Sequence, residues 1–205
     1  MRPWWLLFLA ACGTAGAAPQ PDAHDVRAVP AFHAIHVTAG IELDASVDSA
    51  SRVELAGDPD SIAQITTSVI DGVLQIGVRP HAHLHRVRVM ITAPLDAIAV
   101  DGAVDGRIAK ITGNAFAVAI GGTASLALAG TTRALQVTVA GTGEIDARQL
   151  AASTANVTID GTGDATVQAS SSLAATIDGV GEIVAYGHPG TVTKSIHGVG
   201  GVELR

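Results

Sequence analysis

The residues of this chain best suited to chemistry are carboxylates that recur beside glycines. Asp105, Glu144, Asp164 and Glu182 each stand shortly after a glycine turn and just before an apolar residue, while Asp101, Asp160 and Asp178 stand immediately before the turn glycine. Strand alternation points both sets outward. If successive turns stack, Asp160, Asp164, Asp178 and Glu182 bring like charges to within about 5 Å of one another, which is unfavourable unless water or a cation intervenes. Calcium, which takes several oxygen ligands, is the cation that suits such a ladder, and these four are its candidate ligands. The alternative is a solvated acidic face in which Asp before Gly only shapes the turn. That alternative is favoured because the frame of about nine residues found in calcium-binding β-rolls is missing.

A second group is His81, His83 and His85 in "RPHAHLHRVR". In an extended strand the three imidazoles share one face and would suit a transition metal. Pro80 argues instead for a loop, and no acid or Cys lies close in sequence. Arg79, Arg86 and Arg88 make the same stretch the chain's basic patch, an exposed polar segment able to meet anions.

Catalysis finds less support. A glycan-processing β-helix needs an outward acid paired with a base and an aromatic platform for the sugar. Here Arg107, Lys110, Arg133, Arg148 and Lys194 are scattered and Tyr186 is the sole Tyr. A nucleophilic Cys is excluded after residue 12, and Ser170 to Ser172 have no His near them in sequence. Gly161 and Gly163 open a strand pattern, so they do not form a phosphate loop, which needs a following helix. No catalytic residue and no organic cofactor are assigned.

The elements that must position these residues are read from periodicity. Gly102, Gly122, Gly141, Gly161, Gly179 and Gly198 recur at intervals of 20, 19, 20, 18 and 19 residues, a solenoid period. Before each later glycine runs an alternating stretch: "FAVAI", "LQVTV", "NVTI", "LAATI", "VTKSI". Phe116, Val118 and Ile120 align with Leu135, Val137 and Val139, then with Val157 and Ile159, then with Leu173, Ala175 and Ile177, and should stack inside. Leu126, Ile145, Ala165, Ile183 and Val202 form a second inward column after the turn. Two strands and two turns in about twenty residues make one coil of a parallel β-helix. The glycines mark a corner that needs either positive φ or close backbone approach.

Residues 29–94 read as antiparallel strands, with a hairpin at Asp71-Gly72, a short helix at most over "DSIAQI", and a strand closed by Pro94. The fold class is therefore all-β: N-terminal antiparallel strands leading into a parallel β-helix over residues 95–205. The strands would cap one end of the stack.

At 205 residues the chain is long enough for a buried core, which must be built from Ala, Val, Ile and Leu because aromatics are only 3%. A net charge of -7 without a long basic run excludes nucleic acid as a partner. Residues 1–11 read as a signal peptide whose apolar stretch is too short to span a bilayer. The only Cys, Cys12, sits in "LAAC", which resembles a lipoprotein lipobox, so Cys12 is the expected lipidation site. Residues 12–28 read as a flexible tether and 29–205 as the folded domain. The alternative is an ordinary signal cut after Ala15-Gly16-Ala17. A membrane is thus the expected partner through the lipid, with the outer membrane favoured because Gly13, not Asp, follows the Cys.

Taken together, "FHAIHVTAGIEL", "IDGVLQIGV", "RVRVMITAPLDAIAVDGA" and the recurring "GTGEI", "GTGDA" and "GVGEI" followed by "YGHPG" resemble the family described as "putative auto-transporter adhesin, head GIN domain", over about residues 30 to 205. The resemblance implies an all-β fold with β-helical coils in an exported bacterial protein, and lends no catalytic residues. The expected function is a non-enzymatic, lipid-anchored binding or structural module of the bacterial cell envelope, with an envelope or extracellular glycan or protein as its partner. A glycan-processing β-helix enzyme and a calcium-stabilised surface protein are the alternatives.

Overall fold

A computed structural model describes residues 23–82 and 84–205. Cys12, the signal peptide, most of the tether and His83 lie outside the described residues. The chain runs β1 (Ala23–Arg27), β2 (Ala34–Val37), β3 (Gly40–Val47), β4 (Arg52–Gly57), α1 (Pro59–Gln64), β5 (Ile65–Ile70), β6 (Val73–Val78), β7 (Val87–Ala93) and β8 (Ala97–Val100). There follow β9 (Ala103–Ile120), β10 (Thr123–Val139), β11 (Thr142–Ile159), β12 (Thr162–Ile177), β13 (Val180–Tyr186), β14 (Thr191–Ile196) and β15 (Val199–Leu204).

From β9 onward every pairing is parallel, giving a β-solenoid of about 5 turns of ~20 residues. The expected inward columns form in the expected register: Leu135 lies between Phe116 and Ala155, Val137 between Val118 and Val157, and Val139 between Ile120 and Ile159. Leu135, Val137 and Val139 are 1%, 0% and 0% exposed, so the alternation does bury this face. The long strands β9 to β12 pass from one wall of the coil to the next. Register slips at Leu128/Gly130 and Ala147/Ala151 mark where they bend.

Corner geometry follows from the turn glycines, and the reason is contact, not φ. None of the six has a positive φ. A Cβ built on Gly122 would strike the carbonyl oxygen of Gly102, and the same clash links Gly141 to Gly122, Gly161 to Gly141, Gly179 to Gly161 and Gly198 to Gly179. Those carbonyls are fully used by the stack, since Thr123, Thr142 and Thr162 donate their N–H groups to Gly102, Gly122 and Gly141 at 2.9, 2.8 and 2.9 Å. Only a residue without a side chain lets one corner sit this closely on the next.

The N-terminal strands are antiparallel in three pairs, β1 with β4, β4 with β7 and β5 with β6. Their other pairs are parallel and belong to the stack. β2 lies between β6 and β8, and β3 lies between β7 and β9. The segment β2–β3 is itself a coil with its corner at Ala39-Gly40, inserted below the level that β8 and β9 begin. Asp71 and Gly72 turn the β5–β6 hairpin with φ of 51° and 77°. Residues 23–27 of the expected tether are strand, because "AHDVR" alternates and can extend the sheet beyond β4.

The end beyond β6 and β7 is covered by the antiparallel strands and α1. Asp58 caps the helix by accepting the Ser61 N–H at 2.8 Å, and Pro59 occupies its first turn. Ile62 turns into the core, 4% exposed, while Arg27 donates to the Ile62 carbonyl at 3.2 Å.

Candidate functional site

The parallel register converts the recurring acids into rows. Glu42 pairs with Asp105, Asp105 with Ser125, Ser125 with Glu144, and Glu144 with Asp164. One level further, the Glu182 N–H donates to Asp164 Oδ1 at 2.8 Å. Ser125 interrupts the acids, so Asp105 and Glu144 stand two levels apart, about 10 Å, which relieves their repulsion. At the other end of the row, Glu42 accepts Arg86 Nε and Arg88 Nη2, each at 3.1 Å.

Asp160 and Asp178 occupy a different row, before the corner, where Asp178 Oδ1 meets His197 Nδ1 at 2.8 Å. Asp101, on the same row, meets His36 Nε2 at 2.7 Å. The four candidate calcium ligands are thus split, Asp164 with Glu182 after the corner and Asp160 with Asp178 before it. Among the described residues no group of three or more His, Cys, Asp or Glu is placed to hold a metal ion.

The described residues on either side of His83, 79–82 and 84–86, are loop, as Pro80 indicates. His81 has a left-handed φ of 64°, and the backbone of His85 donates to Ser61 Oγ at 3.0 Å. His81 and His85 border a pocket of about 380 Å³ beside Asp58 and Asp60 at the α1 end. Among the described residues of this segment, 79–82 and 84–86, none is strand, so His81 and His85 are not aligned on one face of an extended strand.

The principal concavity runs along the acid row. A groove of about 690 Å³ crosses β3, β9, β10, β11 and β12 and ends against His85, Arg86 and Val87. Its floor is lowered by small inward residues, Ala124 and Gly143, next to the buried Val104. Ala103, Thr123 and Thr142 form the corner side, and Asp105, Ser125, Glu144 and Asp164 form the other. The arrangement offers an apolar base flanked by hydroxyls and carboxylates repeating at the coil spacing, with a basic end at Arg86. An extended ligand with repeating hydroxyl or amine groups matches that period.

Glu42, Ser125 and the Arg86–Glu42–Arg88 clamp were not assigned to the site by the residue pattern. The signal was present, because "GIEL" at Gly40 to Leu43 has the same outward-inward order as "TGEI" at Thr142 to Ile145.

Comparison with known proteins places the chain. The model of the family described as "Putative auto-transporter adhesin, head GIN domain" matches residues 31–189. The chain belongs to this family. A crystal structure described as a putative adhesin from Bacteroides fragilis NCTC 9343 superposes on this head GIN domain with a TM-score of 0.72 at 20% identity, covering 91% of this chain and 98% of that one. Another, described as a putative lipid binding protein from Parabacteroides distasonis ATCC 8503, gives 0.51 at 20% identity, again with 91% and 98% covered. At these identities the likeness establishes the fold. Among curated proteins, none matches the sequence.

Two ion pairs and the cap of α1 tie stability to pH. The Arg107 guanidinium, hydrogen-bonded to Asp44, holds that carboxyl below the ordinary aspartate value of 3.8. Arg148 does the same to Asp146, and the Ser61 hydroxyl and N–H do it to Asp58. A carboxyl whose folded pKa is depressed contributes stability that is present above its unfolded pKa and lost as pH falls through the folded one. Thermal melts should therefore hold a constant midpoint from neutrality to about pH 5 and lose stability below it. Asp44→Asn should lower stability at neutral pH by about 1 kcal/mol or less, the pair being exposed, and make the acid decline shallower.

Proposed function

We propose that this head GIN domain is a non-enzymatic, adhesion-related module of the bacterial cell envelope that meets its partner along the groove over β3 and β9 to β12. The groove carries this reading: a rigid stack presents hydroxyls and carboxylates at a fixed period over an apolar floor, the form of a contact surface for a repeating chain. The family's description as an adhesin supports the same role. The ligand class that fits best is a neutral or amine-bearing glycan, since carboxylates accept from hydroxyl and ammonium donors and repel anionic sugars. Anchorage at the outer membrane through a lipid on Cys12 would hold the solenoid at the cell boundary.

A printed array of neutral and amine-bearing glycans, probed with the full chain, tests the groove. Glu144→Lys with Asp164→Lys should reduce retention about tenfold or more while the β signal in far-UV circular dichroism is kept, because both side chains are outward; the melting midpoint falls modestly with the loss of the Asp164 bond to the Glu182 N–H. Equal retention by the variant would remove the groove as the contact. Turnover of any glycan would replace this reading with the glycan-processing one. For the anchor, intact-mass measurement of the membrane fraction should find a mature chain starting at Cys12 and carrying acyl mass; a chain starting at Ala18 without it contradicts lipidation.

A further inference from the structure

The two ends of the solenoid are finished in different ways. Beyond β6 and β7 the core is closed by strands and a helix. At the other end, β14 pairs only with β12 and β15 pairs in the sheet only with β13, so among the described residues the outer edges of both are unpaired. The inward positions of this last level are correspondingly open: Ile196 is 43% exposed although Ile177, directly below it, is 0%. Leu204 is 44% exposed. An open, flat pair of edge strands with an exposed apolar interior is a template for another strand, and the partner it fits by shape is the same end of a second copy.

One residue breaks the pattern. In the inward column Val118, Val137, Val157, Ala175, the next position is Lys194. Its side chain does not turn out to solvent beside the strand. It crosses the open interior from β14 to the opposite wall, where Nζ donates to the Val202 carbonyl on β15 at 2.8 Å. The aliphatic stem lies over the core and the charge sits at its mouth. Any coil added on this end would enclose that charge in an apolar interior without a counter-ion, a penalty far larger than a strand edge can offset. In a twofold end-to-end arrangement two such lysines would face each other, which adds repulsion.

We propose that Lys194 is a guard laid across the open end of the solenoid, which keeps the exposed terminal coil from pairing with the terminal coil of a second copy. The inference is independent of the groove and of any ligand. Among the described residues it accounts for the one charged residue in an inward column of the stack, at a level whose interior stands open where the opposite end is covered by α1.

Sedimentation velocity of the full chain in non-ionic detergent tests it, with far-UV circular dichroism to follow the fold. Lys194→Met keeps the stem and removes the charge; it should associate with rising concentration, increasing the weight-average mass about twofold or more relative to wild type. Lys194→Arg should sediment as wild type. Adding Ile196→Asp to Lys194→Met should return the mass to the wild-type value, because it restores a charge to the same end. The proposal is overturned if Lys194→Met sediments as wild type, or if Ile196→Asp leaves the association intact. Loss of the β signal in Lys194→Met also overturns it, by making Lys194 a residue that holds the fold together.

Discussion

Everything in this molecule depends on how closely one corner sits on the next. At each turn from Gly122 to Gly198 the backbone of one level passes over the carbonyl of the glycine below it, with no room for a Cβ. That approach fixes the level spacing and aligns the hydrogen bonds that Thr123, Thr142 and Thr162 make to the corner beneath. With the corner fixed, strand alternation does the rest: inward residues stack in columns, and outward ones stack in rows. A coil this narrow has space for Ala, Val, Ile and Leu but little for rings. Phe116 is accordingly among its largest buried side chains, and Ala147, Ala165 and Ala175 fill positions where a wider coil would need more volume.

Much of this was legible because it is local and repeated. The spacing of the glycines, the alternating runs before them and the Leu126–Ile145–Ala165–Ile183–Val202 column are all carried by neighbouring residues, and the registers agree with them. The Asp71-Gly72 hairpin and the short helix after Asp58 were legible for the same reason. What escaped was the order of levels. That β2 lies between β6 and β8, and β3 between β7 and β9, is a long-range choice, and nothing in residues 34–47 says which strand will be the neighbour. The parallel pairs at this end therefore went unread, while the pattern of residues 29–94 suggested antiparallel strands alone.

The site was legible in part. Alternation correctly turned Asp105, Glu144 and Asp164 outward into one row. It could not show that Asp160 and Asp178 occupy another, since residues on either side of a corner are close in sequence yet face different ways. The glycine column was visible by its period, whereas its cause, contact between levels, became clear only from the stack. Lys194 lay in plain view within "VTKSI", and its inward position fits a last level over which no other described strand lies. A regular stack thus supplies three surfaces of different character: a groove along one wall, a closed end under α1, and an open end crossed by a charge.

The central claim is that absent side chains at the corners hold the levels together. It is tested most directly by comparing the unfolding free energies of Gly141→Ala and Gly201→Ala. A Cβ at position 141 meets the carbonyls of Gly121 and Gly122, while one at position 201 meets nothing within 4 Å. The account predicts that Gly141→Ala loses about 3 kcal/mol or more, or fails to fold, while Gly201→Ala stays within about 0.5 kcal/mol of wild type. Equal stability of the two variants would contradict it.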